Sequence, residues 1–200
     1  MSPPLPLRFV LSAPDVGHLP PSPAEVAVVG RSNVGKSSIV NALGHQSGLA
    51  RVSKTPGRTR LLNLFEVAGA GTLVDCPGYG YASASASLRA SWQRMAERYL
   101  LEREVLVRTM VLVDGEVGPT RLDTQMLAWL RGNDLPLAVV ATKADKVRAS
   151  TRQRRRKELA EGCGLPPAEV TWVSAAKGTN VDRLRSQVLA WLAAEDGDGA

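Results

Sequence analysis

The chain has 200 residues, of which 44% are hydrophobic and 22% are charged, and this size and balance fit one soluble α/β domain with a buried core. The formal net charge is +6, which favours an acidic partner such as nucleic acid. Two cysteines exclude a disulfide framework and no apolar stretch is long enough to span a membrane, so the sequence predicts a cytoplasmic protein in a reducing environment.

The two ends of the chain differ in composition from its middle. Residues 1–23 are rich in proline and are predicted to form an extended arm, with Phe9-Val10-Leu11 as the part that could dock against the body. Residues 195–200 form a short acidic tail, which we expect to be frayed. Residues 24–194 are therefore predicted to form the folded domain.

Within residues 24–194, short apolar runs alternate with segments whose apolar residues recur at helical spacing. Strands that alternate with helices of this length imply a mainly parallel sheet with helices on both faces. Residues 61–67 and 72–75, joined by a Gly-Ala-Gly turn, are predicted to form a hairpin that adds one antiparallel strand. The predicted fold class is therefore α/β, with a six-stranded, mainly parallel sheet.

The first chemical motif is GRSNVGKSS at residues 30–38, between the apolar run 26–29 and a helical segment. A strand, the pattern GxxxxGK[ST] and a helix together make up the phosphate-binding P-loop. Lys36 is long enough to reach β- and γ-phosphate oxygens, and the Ser37 hydroxyl can ligate Mg²⁺. The candidate phosphate-binding residues are Gly30, Arg31, Ser32, Asn33, Val34, Gly35, Lys36 and Ser37.

A polar loop that contains Gly and Pro follows at residues 46–60. A nucleotide switch needs a threonine here that contacts Mg²⁺ and the γ-phosphate only when the triphosphate is bound. Thr55 and Thr59 both fit by residue type. We prefer Thr59 because it lies just before the next predicted strand.

The second motif, Asp75-Cys76-Pro77-Gly78, stands at the end of a predicted strand. In P-loop proteins a strand-end aspartate holds Mg²⁺, usually through water, and Gly78 can bring a backbone N–H to the γ-phosphate. The pattern DxxG alone is a common turn sequence. Its position at a strand end, after the P-loop, indicates a nucleotide site.

Two later motifs indicate the base. Thr142-Lys143-Ala144-Asp145 follows an apolar strand, and the Asp145 carboxylate can accept hydrogen bonds from N1–H and the 2-amino group of guanine, which adenine lacks. The Lys143 stem can pack over the base and ribose. Residues 174–177, SAAK, follow the last strand and supply backbone N–H groups for guanine O6. The sequence therefore predicts GTP and GDP as ligands.

The stretches GRSNVGKSS, SKTPGRTR, DCPGYGYA and TKAD, with FVLSAPDVGHLP near the start, resemble the EngB (YihA/YsxC) family of bacterial GTPases from about Phe9 to Trp191. The resemblance implies a P-loop GTPase fold, with residues 24–194 as the G domain, and a GTP/GDP switch in assembly of the large ribosomal subunit. It also implies the family's assigned role in cell division and septum formation. Cys76 departs from the family's usual Leu, and we expect little effect from this change.

The resemblance also carries residue roles over by motif. It implies that Ser37 and Thr59 ligate Mg²⁺. The further nucleotide contacts that it implies are Gly57, Arg58, Thr59, Arg60, Leu61, Asp75, Cys76, Pro77, Gly78, Thr142, Lys143, Ala144, Asp145, Val173, Ser174 and Ala175.

Tyr79 occupies the position directly after DxxG, where many GTPases carry the glutamine that orients the attacking water. Asn33 is the kind of residue that in similar GTPases coordinates a potassium ion beside the β- and γ-phosphates; the alternative is that it only caps a turn of the loop. We therefore expect slow intrinsic hydrolysis that a ribosomal partner accelerates. The candidate catalytic residues are Lys36, Thr59, Gly78 and Asn33.

Two basic segments indicate the partner. Residues 146–157 contain seven Lys or Arg and residues 51–60 contain four, with no acidic residue in either. Such runs are often only solvated faces, but they also suit docking on the ribosomal RNA of the large subunit or its precursor.

Two other classes of function remain: a GTP-sensing RNA-binding module with negligible hydrolysis, and a metabolic P-loop kinase, which would not need TKAD and SAxK. We expect a monomer without membrane contact.

Overall fold

The structure, a computed structural model, describes residues 3–50, 61–80 and 86–194, with only the backbone at residues 86–89 and 92. Its strands are β1 (Leu7–Ala13), β2 (Glu25–Gly30), β3 (Leu62–Val67), β4 (Gly71–Asp75), β5 (Leu106–Asp114), β6 (Leu137–Thr142) and β7 (Thr171–Trp172). Its helices are α1 (Lys36–Gly44), α2 (Ala86–Glu102), α3 (Arg121–Gly132), α4 (Arg152–Gly162) and α5 (Val181–Ala193). None of the helices in the described ranges has the length and apolarity needed to cross a membrane.

The strands form one sheet in the order β1-β3-β4-β2-β5-β6-β7. The pairs β2–β4, β2–β5, β5–β6 and β6–β7 are parallel, whereas β3 runs antiparallel to both of its neighbours, β1 and β4. The prediction of a mainly parallel sheet with one reversed strand is therefore confirmed.

The described sheet has seven strands, so the predicted number of six was too low by one. The additional strand is β1, which lies within the proline-rich segment predicted to be an extended arm. It pairs with β3 from Leu7↔Val67 to Ala13↔Leu62. Both of its ends, Leu7 and Ala13, are buried, and the prolines of this region lie outside β1, where they remove no donor from the ladder.

Helices cover both faces of the sheet, as predicted. Side chains of successive residues along a strand point to opposite faces, and β2 shows this division. Ala27 and Val29 pack in a core with residues of α2, α3 and α4, whereas Val26 and Val28 pack in a second core with residues of α1 and α5. All residues of β2 are buried, which is typical of a central parallel strand covered on both sides.

The parallel strands end at one edge of the sheet. The P-loop follows β2, the Asp75–Gly78 motif begins at the end of β4, residues 142–145 begin at the last residue of β6, and residues 174–177 follow β7. In open α/β sheets, ligands bind at the carboxyl ends of the strands. The topology therefore brings the four predicted nucleotide motifs to the same edge.

A buried ion pair lies at the opposite end of β2. Glu25 is fully buried, and its carboxylate accepts hydrogen bonds from Arg103 Nη2 at 2.7 Å, from Arg103 Nε at 3.1 Å and from the Tyr99 hydroxyl at 3.1 Å. Arg103 follows α2 directly and also donates to Pro20 O. These contacts connect α2 to the central strand.

We expect Arg103→Ala to lower the free energy of unfolding by about 3 kcal/mol, because the buried Glu25 carboxylate would lose its cation. Urea unfolding measures this loss. Arg98→Ala is the matched control, since Arg98 pairs with Glu102 on the surface and exposed pairs contribute little to stability. Equal losses in the two variants would contradict the assigned importance of the Glu25 pair.

Candidate nucleotide-binding site

The backbone of the P-loop, between β2 and α1, adopts conformations that favour glycine or asparagine. Asn33 and Gly35 have left-handed conformations, with φ of 64° and 109°. A Cβ atom at Gly30 would lie 2.8 Å from Val34 Cγ1 and 2.9 Å from Leu112 O, so this position has no room for a side chain. The loop curls around the N-terminus of α1, where backbone N–H groups and the helix dipole favour an anion.

Lys36 and Gly78 lie close together at this loop. Lys36 is only 8% exposed, and its ammonium group donates to Gly30 O at 3.4 Å. A Cβ atom at Gly78 would lie 2.9 Å from Lys36 Nζ. Burial lowers the pKa of Lys36, and the charge of Asp75 acts in the opposite direction. The predicted catalytic residues Lys36 and Gly78 are therefore neighbours.

Asp75 and Ser37 form a second pair beside the P-loop. The Ser37 hydroxyl donates to Asp75 Oδ2 at 3.4 Å, while Asp75 Oδ1 is buried without a hydrogen-bond partner. Burial raises the pKa of Asp75 to about 6, although Lys36 and the Ser37 hydrogen bond lower it. An unpaired buried carboxylate oxygen beside a hydroxyl is a donor set that fits Mg²⁺ and its waters.

Among the described residues there is no group of three or more His, Cys, Asp or Glu that could hold a metal ion. At nucleotide sites Mg²⁺ is usually bound through one or two protein ligands, substrate phosphates and retained waters. Ser37 and Asp75 could supply the protein part of such a site.

The two guanine motifs meet across β6 and β7. The Ser174 hydroxyl donates to Asp145 Oδ1 at 2.5 Å, and this hydrogen bond lowers the pKa of Asp145. The Ser174 hydroxyl oxygen accepts from Lys177 N at 3.1 Å. Ala144 N donates to Val173 O. Asp145 is exposed, so its carboxylate is charged, held in one orientation and accessible to a ligand.

Asp114, at the end of β5, is a site residue that the sequence analysis missed. Its Oδ2 lies 2.6 Å from Lys143 Nζ, and its Oδ1 accepts from Glu116 N and Val117 N. Lys143 has a left-handed backbone, with φ of 55°. The available signal was an acidic residue at the end of an apolar strand, where β5 pairs with β6 at Asp114↔Thr142. Asp114 fixes the ammonium group of Lys143.

Thr142 connects the guanine side to the phosphate side. Its hydroxyl donates to Val34 O at 2.7 Å and is 3.3 Å from Val113 O. Thr142 and Val34 are both buried. The P-loop and the segment that begins after β6 are therefore held in a fixed relation.

Tyr79 and Asp123 form a second contact that the sequence analysis missed. The Tyr79 hydroxyl donates to Asp123 Oδ1 at 2.9 Å. Burial and the charge of Asp123 raise the pKa of Tyr79 far above its usual range. The Tyr79 hydroxyl is therefore held on α3. Asp123 gave no signal beyond that of a helix-capping residue.

The other predicted site residues differ in their surroundings. Asn33 is exposed, Arg31, Ser32, Gly35 and Ser37 are partly buried, and Leu61 is exposed just before β3. Cys76, Pro77 and Val173 are buried, and Ala144 and Ala175 are partly buried. Thr55, Gly57, Arg58, Thr59 and Arg60 lie outside the described residues, so the roles assigned to them stay predictions.

Comparisons with known proteins point to one family. A family model described as "50S ribosome-binding GTPase" matches residues 25–143. The chain is 44% identical to the probable GTP-binding protein EngB of Sodalis glossinidius over 94% of this chain and 90% of that protein. It is 45% identical to the probable GTP-binding protein EngB of Pelotomaculum thermopropionicum over 92% of this chain and 94% of that protein.

Two solved structures are similar to this chain. One is a crystal structure of a probable GTP-binding protein EngB, with a TM-score of 0.70, 25% identity and coverage of 84% of this chain and 98% of that chain. The other is Era in complex with MgGDPNP and nucleotides of 16S ribosomal RNA, with a TM-score of 0.65 and 25% identity. That match covers 84% of this chain and 56% of the Era chain.

Proposed function

The chain belongs to the EngB family of GTP-binding proteins, which are GTPases, and on this basis we propose that it acts as a GTP/GDP switch in assembly of the large ribosomal subunit. The family's role in cell division and septum formation is part of the proposal, either directly or through the supply of ribosomes. The protein works in the cytoplasm as a monomer, with residues 24–194 as its G domain.

In this proposal the P-loop holds the phosphates, and Asp145 and the 174–177 segment hold the guanine. Ser37 and Thr59 ligate Mg²⁺, with Asp75 acting through water. When bound, Mg²⁺ neutralises charge on the β- and γ-phosphates. Lys36 does the same from its buried position, and the Gly78 N–H faces the γ-phosphate. Asn33 holds a potassium ion beside the β- and γ-phosphates.

The observation that carries the ribosomal part of the proposal is the charge of α4. The exposed residues Lys146, Arg148, Arg152, Arg154, Arg156 and Lys157 form what we call the α4 basic surface. The first turn of α4 contains no acidic residue, and only Leu159 and Ala160 of this helix are buried. Basic residues near a helix N-terminus are unfavourable with respect to the helix dipole, so an anionic partner is the better explanation for them.

Ribosomal RNA is the anion that fits this surface. Contacts of Arg and Lys with phosphates are independent of base sequence and depend strongly on salt, and double-stranded RNA is recognised through shape and backbone. The match to the 50S ribosome-binding GTPase model supports the large subunit. The similar protein Era was solved with 16S ribosomal RNA, so an RNA partner has a precedent on this fold. The second basic segment, residues 51–60, is also part of the proposed RNA contact.

We expect the isolated protein to hydrolyse GTP far more slowly than ~1 per second, because Tyr79 is held on α3 and no glutamine follows DxxG. Purified large subunits should accelerate single-turnover hydrolysis by at least about tenfold, and small subunits are the control. Potassium in place of sodium should raise the rate if Asn33 holds the ion. Hydrolysis at enzyme-like rates by the protein alone in sodium buffer would contradict the proposal, whereas no acceleration by any subunit would favour the sensing module with negligible hydrolysis.

A further inference from the structure

The backbone of Gly78 and Tyr79 lies directly on the P-loop. Ser32 N donates to Tyr79 O at 2.9 Å, and Tyr79 N donates to Gly30 O at 3.3 Å. A Cβ atom at Gly78 would lie 3.0 Å from Ser32 N and 2.9 Å from Lys36 Nζ. The Ser32 amide is therefore already hydrogen-bonded within the protein, and Gly78 occupies the space beside the Lys36 ammonium group.

One carboxylate holds this arrangement together. Asp123 Oδ1 accepts from the Tyr79 hydroxyl at 2.9 Å, and Asp123 Oδ2 accepts from Thr120 N and from Thr120 Oγ1, each at 2.7 Å. Arg31 Nε, on the P-loop, lies 3.4 Å from Asp123 Oδ2. We call Arg31, Tyr79, Thr120 and Asp123 the Asp123 cluster. It connects the P-loop, the residue after DxxG and the start of α3.

The Asp123 cluster is costly to open. Asp123 is fully buried, and a buried carboxylate that loses a donor bears the desolvation cost of its charge. Tyr79 is held at two points, because its hydroxyl donates to Asp123 Oδ1 and its backbone carbonyl accepts from Ser32 N. Movement of Tyr79 away from the P-loop must therefore break the hydrogen bond to Asp123.

GDP and GTP differ in the space and the contacts that they need in this region. GTP adds a third phosphate, which has to lie near Lys36 Nζ and the backbone N–H of Gly78. In the structure Gly78 and Tyr79 contact the P-loop at the place where this phosphate would lie, since Ser32 N donates to Tyr79 O. GDP lacks the third phosphate and can bind with the Asp123 cluster intact.

We propose that Asp123 is a specificity-determining residue that favours GDP over GTP, because it holds Tyr79 and Arg31 together and only GTP has to break the Tyr79 contacts. Tyr79 then reports which nucleotide is bound and does not orient the attacking water. This inference rests on the proposed nucleotide site and not on the ribosomal role.

The test compares dissociation constants of the full-length protein for GDP and for the non-hydrolysable analogue GDPNP, with Mg²⁺ present. Tyr79→Phe removes the hydroxyl donor and keeps the ring. We expect it to strengthen GDPNP binding about five- to tenfold and to change GDP binding less than about twofold. Asp123→Asn should shift the ratio in the same direction, and Tyr79→Phe still decides the question if that variant does not fold.

Tyr99→Phe is the matched control. It removes a tyrosine hydroxyl that donates to another fully buried carboxylate, that of Glu25, at 3.1 Å, so it should lower stability without changing the GDP-to-GDPNP ratio. An unchanged ratio in folded Tyr79→Phe, or equal weakening of both nucleotides, would overturn the inference and leave the nucleotide site standing. Failure of the wild-type protein to bind either nucleotide would instead refute the site on which the inference rests.

Discussion

Asp145→Asn should weaken GDP binding by at least about 100-fold and shift the preference towards xanthosine diphosphate. The Asp145 carboxylate has two acceptor oxygens, which in the proposed site accept from two guanine donors, N1–H and the 2-amino group. Asparagine replaces one acceptor with an NH₂ donor, which opposes the 2-amino group of guanine but can donate to the 2-carbonyl group of xanthine. Since the Ser174 hydroxyl holds Asp145 Oδ1 at 2.5 Å, the side chain has little freedom to avoid this mismatch.

Binding of GDP and xanthosine diphosphate, measured by calorimetry, checks this result. Asp182→Asn is the matched control, because Asp182 is an acidic residue in the first turn of α5 whose Oδ1 accepts from Arg183 N. It makes the same chemical change without a predicted role in binding. If Asp145→Asn bound GDP as tightly as the wild-type protein, Asp145 would not be the guanine-reading residue.

The second large effect concerns the large ribosomal subunit. Changing Arg154 and Arg156 of the α4 basic surface, together with their partly buried neighbour Arg155, to Glu should weaken binding to purified large subunits by at least about 100-fold at ~100 mM salt, because basic groups would be replaced by acidic groups that repel phosphates. GDP affinity should not change. Both Arg154 and Arg155 pair only loosely with Glu158, at 3.4 and 3.5 Å, so little of the helix depends on these ion pairs.

The control for this triple variant changes the net charge equally, at exposed positions that are spread over other parts of the molecule. Arg8, Arg94 and Arg183 are exposed on β1, α2 and α5, and their replacement by Glu removes the same charge. Long-range attraction would fall alike in both variants, whereas loss of specific contacts would appear only in the α4 variant. Unchanged co-sedimentation of the α4 variant with the large subunit would refute the assigned RNA surface.

Local signals were enough to predict most of the framework. The hairpin of residues 61–67 and 72–75 was predicted, and the structure has it as the antiparallel pair β3 and β4, because a Gly-Ala-Gly turn joins two apolar runs. The meeting of Asp145 with Ser174 could be predicted because parallel neighbouring strands end at the same edge. Both predictions depend on residues that are close in sequence or on the regular geometry of a parallel sheet.

The features that the sequence did not predict depend on contacts between residues that are far apart in the chain. The prolines around β1 are typical of an extended arm, and its addition to the sheet depends on pairing with β3, whose residues lie 49 to 60 positions later in the chain. Asp123 shows only a capping pattern in the sequence, and its contact with Tyr79 spans 44 residues. Asp114 is likewise recognisable only once Lys143 is beside it. Each of these roles depends on a partner that the local sequence does not specify.

Co-sedimentation of the wild-type protein with purified large and small ribosomal subunits, in GDP, GTP and GDPNP, tests the central claim of a GTP-controlled ribosomal switch. We predict strong binding to the large subunit in GDPNP, weaker binding in GDP, and little binding to the small subunit in any nucleotide. High salt should remove the binding, as expected for phosphate contacts. Equal binding to the large subunit in GDP and GDPNP, or a preference for the small subunit, would contradict the account.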